Sequence, residues 1–333
     1  MRKIYVDLSQ MAGNGGGFIR YCLVLSKALN KIDNYHFIFL IPRQLSSEME
    51  KVISNHTIKL ISGSGIRLWI KRELFFLNKK FCLFPGNYTT LINFNKCNIL
   101  VIHDLKFIQA PSFLTFKTRL IRKLLVSYSL FCSKSIISIS EFTAQSVLKY
   151  FKRFSATIYT PILPVFEIDD KHQKGYFLSV LTSHRHKNSE TLINIFKNLP
   201  DEKLILVGNF TSNLPNIKVM NNISDDILFN LYKNCKTFIF PSLYEGLGQP
   251  IIEASYFNKP IICSNLPPLL EITNNKAIYI DNPLDIEEWL TKIKMIKSTH
   301  FSYENDVFFS ETKFINKLKK ILNETDNSRP KKG

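Results

Sequence analysis

Short β-branched and aromatic runs alternate along this chain with longer stretches in which apolar residues recur every three or four positions. Residues 3–7, 36–41, 98–103 and 135–140 have the length and composition of buried strands, whereas 18–30, 116–131 and 142–151 carry the helical period. Such alternation predicts a parallel sheet covered by helices, because parallel strands are joined only by a crossover long enough to hold one. Past Thr160-Pro-Ile-Leu-Pro164, where two prolines hold the chain extended, a second cycle starts. It has strands over 176–181, 204–207, 237–240 and 260–264, and helices over 189–197 and 225–233, from Pro250, and near 285–297 and 311–323. Ser224 is placed to cap the 225–233 helix. The pattern predicts an α/β protein of two doubly wound, Rossmann-like domains facing across a cleft. Their expected limits are 1–163 and 164–323, the final helix being free to pack back on the first domain, with a basic tail over 324–333.

With 333 residues, 45% of them hydrophobic, the chain has enough apolar material for two cores. Its longest apolar runs, such as 37–41, are far too short to cross a bilayer. The start, MRKIYVDLSQM, lacks the apolar stretch of a signal peptide and reads as a first strand. Cysteines at 22, 82, 97, 132, 235 and 263 form no C-x-x-C pair or metal-ligand spacing, which predicts a reduced, cytosolic setting without structural disulfide or zinc.

Charge changes the picture more. Of the net +17, residues 1–165 hold +16, from 23 Lys and Arg against 7 Asp and Glu, and the remainder is +1. A polarity this sharp predicts an anionic partner for the first half: lipid headgroups, a pyrophosphate-linked substrate or nucleic acid. The helix over 116–131 puts Phe116, Leu120, Leu124, Tyr128 and Phe131 on one face and Arg119, Arg122 and Lys123 largely opposite. The stretch 67–81 mixes Trp69, Phe75 and Phe76 with Lys79 and Lys80. Each alone fits an ordinary packed helix with solvated charges; with the charge asymmetry, the two predict peripheral attachment to an anionic membrane.

Candidate chemistry gathers at strand ends. In Pro241-Ser-Leu-Tyr-Glu245-Gly-Leu-Gly248-Gln-Pro250-Ile-Ile-Glu253-Ala254 a strand stops at a proline and a helix starts at another. Gly246, Leu247 and Gly248 between them form a turn that lets backbone approach a ligand, and the N–H groups of the helix start favour an anion. Glu245, from the loop, and Glu253, from the first helical turn, suit hydroxyls; taken singly they also fit a solvated loop acid and a helix-dipole partner. Gly13-Asn-Gly15-Gly16-Gly17 after the first strand reads either as a phosphate cradle or as a mobile loop. It does not spell the dinucleotide fingerprint, because Phe18 stands where the third glycine is needed. His103-Asp104 ends a strand, as a satisfied histidine or as a group facing a ligand, with Asp104 expected to orient the ring. Lys187, in Thr182-Ser-His-Arg-His-Lys-Asn188, is a point charge for a diphosphate or a solvated loop cation.

The 241–254 string resembles the E-x(7)-E motif of the retaining GT-B glycosyltransferases of family four, the group 1 glycosyltransferases. Gly16-Gly-Phe-Ile-Arg-Tyr21 is similar to that family's GG-x-x-RY loop, and Arg185-His-Lys-Asn188 to its RKN segment. Residues 219–223 followed by Ser224-Asp-Asp resemble the segment flanking the donor base. The family usually has a glycine where Leu181 stands, and Arg185 is the nearest substitute for its usual arginine. The resemblance implies a GT-B fold and a retaining transfer of a hexose or deoxyhexose from a nucleotide-diphosphate sugar to a lipid-linked oligosaccharide, in lipopolysaccharide O-antigen or capsule synthesis. It implies catalytic roles for Glu245, His103 and Lys187, and donor binding by Gly16, Gly17, Arg185, Gly246, Leu247, Gly248 and Glu253.

No Asp-x-Asp pair occurs, so fixed cations and N–H groups are expected in place of a metal, with no cofactor. The expected setting is cytoplasmic, peripheral on the inner face of the plasma membrane. Two other readings remain open. One is a nucleotide-sugar epimerase on the same fold. The other is a basic nucleic-acid-binding protein, which no motif in the chain supports.

Overall fold

The computed structural model describes residues 1–13, 16–53, 56–92, 97–162, 175–296 and 310–327. The chain divides into two compact units, Met1–Pro161 with Phe309–Gly333, and Ile162–Phe308.

The first unit is a parallel sheet with strands β1 (Arg2–Asp7), β2 (Tyr35–Pro42), β3 (Thr57–Ile61), β4 (Cys82–Phe84), β5 (Asn98–Ile102), β6 (Ser133–Ser138) and β7 (Ala156–Thr157). Their order is β3-β2-β1-β4-β5-β6-β7, so the topology reverses between β1 and β4. The helices are α1 (Gly16–Asn30), α2 (Ser46–Val52), α3 (Gly65–Phe76), α4 (Lys106–Gln109), α5 (Phe116–Cys132) and α6 (Glu141–Phe151). Thr115 and Ser140 cap α5 and α6 by accepting the N–H three residues on. On one sheet face Phe76 of α3, Val126 and Leu130 of α5 and Val147 of α6 pack on Phe84, Leu100, Ile102 and Ile136.

The second unit has strands β8 (Tyr176–Val180), β9 (Lys203–Val207), β10 (Ile217–Met220), β11 (Thr237–Phe240), β12 (Ile261–Ser264) and β13 (Ile278–Ile280). Helices α7 (Ser189–Lys197), α8 (Asp225–Asn234), α9 (Gln249–Tyr256), α10 (Pro267–Thr273) and α11 (Ile286–Lys294) join and follow them. The order β10-β9-β8-β11-β12-β13, all parallel, reverses between β8 and β11. Ser224 does cap α8, accepting from Ile227 N–H. Leu178, Phe196, Phe238, Ile251, Ile262 and Trp289 are fully or almost fully buried around this sheet.

The last helix, α12 (Glu311–Asn327), belongs to the first unit, so it packs back on that domain, the alternative left open for it beside the 164–323 limit. Tyr35 donates to Asn323 at 2.8 Å, Ser135 and Thr325 share a hydrogen bond at 2.6 Å, and Arg2 pairs with Asp326. Thr325 and Asp326 lie in the segment that composition marks as tail, and the helix runs on to Asn327. The loop 160–164 lies only partly within the described residues, which stop at Ile162 and resume at Gly175.

The polarity of α5 is the reverse of an ordinary packed helix. Its buried residues are Val126, Ser129 and Leu130, while Phe116, Leu120, Leu124 and Phe131 stand in solvent.

Candidate functional site

Open α/β sheets bind ligands beyond the carboxyl ends of the strands where the order reverses. In the second unit these are the loops after β8 and β11, and hydrogen bonds join the two. Leu243 N–H donates to His186 O at 2.7 Å, and Asn188 Nδ2 donates to Pro241 O at 3.1 Å and to Pro283 O at 3.0 Å. Asn188 itself is left-handed at φ 57°, a conformation asparagine tolerates, and its Oδ1 accepts from Thr191 Oγ1.

With the loops tied, Lys187 Nζ reaches Glu245 Oε1 at 2.6 Å, with side chains only 16% and 9% exposed. Neither residue is the solvated loop charge that each could be if taken singly. Lys187 Nζ also lies 5.3 Å from the centre of the Phe240 ring. Arg185, on the short turn Arg185–Lys187, is exposed.

Gly248 has φ 99°, and a Cβ there would come within 2.6 Å of Leu269 Cδ2. Only glycine fits both that dihedral and that contact. Gly246 is partly buried and Leu247 is buried. The helix starts one residue earlier than Pro250 suggests, at Gln249, which puts Pro250 second and Glu253 beyond the first turn. Glu253 is 3% exposed and faces inward, which excludes a purely solvated partner of the helix dipole. Its first N–H groups, like those of any helix, lack intrahelical acceptors.

Three polar groups at the ends of neighbouring strands and the start of α9 are not singled out by the sequence pattern. Ser242 Oγ, after β11, Ser264 Oγ, at the last residue of β12, and Gln249 Nε2, at the start of α9, are buried and make no hydrogen bond among the described residues. A serine directly behind a strand-ending proline was the available signal for the first. Buried donors and acceptors without partners are costly unless a ligand or water satisfies them.

In the first unit Gly16 and Gly17 are the opening residues of α1, after the β1 reversal, and a Cβ at either would meet nothing within 4 Å. Sterics inside this unit therefore do not demand glycine there. Asn14 and Gly15 lie outside the described residues. His103 is brought to the same helix start: its ring meets Phe18 edge-on at 5.4 Å and Tyr21 at 4.7 Å.

His103 Nε2 bonds Pro85 O at 2.6 Å, and its backbone N–H donates to Asn87 Oδ1 at 2.7 Å. Since a carbonyl only accepts, the proton is assigned to Nε2, and Nδ1 is left as the acceptor of the neutral ring. Burial lowers the pKa below the ordinary 6.5, opposed by the Pro85 carbonyl and by Asp104. Asp104 is not the group that orients the ring. Its Oδ1 accepts from Lys106 N–H at 2.9 Å at the start of α4, whereas Pro85, Phe18 and Tyr21 hold the imidazole.

Residues 165–305 match the family described as glycosyl transferases group 1. Over 215 residues the chain is 28% identical to the O-antigen chain mannosyltransferase RfbU of Salmonella typhimurium, a match covering 60% of each protein. The chain thus spans about three-fifths of that curated relative. Sucrose-phosphate synthase of Thermosynechococcus elongatus superposes with TM-score 0.78 over 99% of this chain and 100% of its own, at 13% identity. Anabaena HepE in complex with UDP-glucose superposes with TM-score 0.73 over 97% and 100%, at 14% identity. The fold is GT-B, two Rossmann-like parallel-sheet units.

Proposed function

We propose that this chain, whose residues 165–305 match the group 1 glycosyl transferases, acts as one of them and transfers a sugar from a nucleotide-diphosphate donor in O-antigen assembly, as the similarity to RfbU suggests. The observation that carries the reading is the nearly buried Lys187–Glu245 pair, held where the order of the second sheet reverses. A cation and a carboxylate in contact serve the two ends of a sugar diphosphate, one for the leaving phosphate and one for the sugar hydroxyls.

In this reading Lys187, Arg185 and the N–H groups of Gly246, Leu247 and Gly248 hold the diphosphate, so no metal or cofactor is required. Glu253 binds the ribose. For the first unit the family resemblance assigns donor contacts to Gly16, Gly17 and His103, and this reading keeps them as part of the proposal. The bond from the anomeric carbon to the phosphate oxygen breaks, and the acceptor oxygen bonds to that carbon on the same face, with retention. The acceptor's proton passes to the departing phosphate, so the step needs no separate base. A hexose or deoxyhexose fits, and the relative's name points to mannose. The proposed acceptor is a lipid-linked oligosaccharide at the inner face of the plasma membrane, with the chain peripheral on it. No helix among the described residues is long and apolar enough to cross a membrane.

A melting panel with GDP-mannose, UDP-glucose and their nucleotides tests the reading, because a ligand that binds only the folded state raises its stability by mass action. One donor should raise the melting temperature of the parent chain and not of Lys187→Ala, and product analysis should find the sugar on an acceptor. Epimerised nucleotide sugar without transfer would favour the epimerase, and no shift with any donor would sink both.

A further inference from the structure

The first unit carries two helices built inside out. On α3 the buried residues are Arg72, Glu73 and Phe76, whereas Ile66, Ile70 and Leu74, at i, i+4 and i+8, are 71%, 46% and 60% exposed. On α5 Phe116, Leu120 and Leu124 repeat that spacing at 77%, 47% and 62% exposed. A helix in water normally turns such a stripe to the core. Both stripes face away from one sheet face, because Phe76, Val126 and Leu130 from the opposite sides of these helices share one core cluster.

A buried polar clamp ties both helices to one segment of chain. Arg72 pairs with Asp7 at the end of β1 and donates to Tyr88 O at 3.1 Å and Thr89 O at 3.3 Å. Glu73 Oε2 accepts from Leu91 and Ile92 N–H at 2.8 and 3.2 Å. From α5, Ser129 Oγ accepts from Thr89 N–H at 2.9 Å and Tyr128 donates to Leu91 O at 2.6 Å. The segment 88–92 is thereby gripped from both helices. Desolvation holds the Glu73 pKa up, against the pull of its N–H donors and Arg72.

Around the stripes the charge has one sign. Arg67 and Lys71 on α3 and Lys117, Arg119 and Lys123 on α5 are exposed, and the sole acid of either helix is the buried Glu73. A second copy of a chain with net +17 would bring like charge against like. Exposed aliphatic and aromatic side chains rimmed by cations match a layer of anionic headgroups over acyl chains.

We propose that the outer faces of α3 and α5, clamped through segment 88–92, form the surface by which this chain sits on an anionic lipid bilayer, with Ile66, Ile70, Phe116 and Leu124 entering the acyl region. The proposal deepens the reading of a transferase with a lipid-linked acceptor and rests on it. The clamp fixes the angle between two inserted helices, so the first unit would be presented to the bilayer in one orientation rather than tethered by one flexible segment.

Flotation of the full chain with vesicles of phosphatidylcholine, with and without phosphatidylglycerol, at low and high salt, tests this. The parent should float with anionic vesicles and little with neutral ones. Ile66→Ser/Ile70→Ser/Leu124→Ser and Arg67→Gln/Arg119→Gln/Lys123→Gln should each weaken partitioning by about tenfold or more. Their melting temperatures should stay close to the parent value, since every substituted side chain is exposed. Variants that float like the parent overturn the surface, as does a parent that ignores vesicles or dimerises through this face or takes up a protein partner there instead. Donor-induced melting shifts on the same samples read the transferase assignment separately: they should survive both sets of substitutions, and their absence from the parent would count against that assignment and not against the vesicle result.

Discussion

Charge is used differently in the two units. In the second, Lys187 and Glu245 meet nearly buried at a strand-order reversal, and the buried hydroxyls of Ser242 and Ser264 at neighbouring strand ends find no partner among the described residues. In the first, the buried ions Asp7, Arg72 and Glu73 spend their bonding capacity on backbone, on Ser9 and on one another, and most of the other cations are exposed. A pair with unused capacity around it suits one small ligand at one point. A saturated network is scaffolding, and a field of solvated cations suits an extended anionic surface. Buried charge alone therefore does not mark a site; what the neighbours leave unsatisfied does.

The largest test of this contrast is Arg72→Met. Removing one partner strands Asp7 in the core, and the expected loss is about 3–5 kcal/mol of unfolding free energy, read by denaturant titration. Nucleotide-sugar affinity of the molecules that remain folded should not change; a selective loss of binding would move Arg72 from scaffold to site.

Lys187→Ala should act the other way round. Transfer, read as kcat/KM, should fall about 10²–10³-fold, the size expected for losing one group that stabilises developing charge. Its melting temperature should fall less than that of Arg72→Met. If stability fell as far and transfer persisted, the pair would be structural in both units.

Gly248→Ala tests the turn between the glutamates. The left-handed dihedral and the approach of Leu269 predict a cost of about 1–3 kcal/mol, with weaker donor binding because the start of α9 shifts. Unchanged stability would mean that Leu269 yields freely.

The smallest expected effect is a pH dependence from the first unit. The folded pKa of His103 is below the ordinary 6.5, so the unfolded chain takes up the proton first. Stability is complete above 6.5 and declines as pH falls from there towards the lowered value; His56, also lowered by burial, adds in the same direction. The drop in melting temperature between about pH 7.5 and about pH 5.5 should be smaller in His103→Asn than in the parent. An equal drop would assign the dependence to His56 or to other groups.

Much of this was legible in the sequence because it is local. Strand length and β-branching marked most of the long strands, a serine three residues before an N–H announced the cap of α8, and a proline and two glycines marked the turn that carries Glu245. Short or half-exposed strands escaped notice: β4 has three residues, and β3 is exposed at Lys59 and Leu60, so neither shows a clean period. Ser242 and Ser264 were invisible as site groups because a serine's importance lies in whether a partner reaches it.

Local sequence thus carries the α/β alternation, the strand-end location of Lys187, His103 and the glutamates, and the glycine turn at 246–248, all set by a few neighbouring residues. Only the tertiary structure decided that Lys187 and Glu245, 58 residues apart, touch, since that follows from β11 pairing with β8. It also decided that α12 completes the first unit, and that α3 and α5 turn their apolar stripes outward. Periodicity reports that a helix has two faces; which face meets the sheet depends on what the opposite side must satisfy, and here the buried ions of α3 and the serine of α5 take the inside.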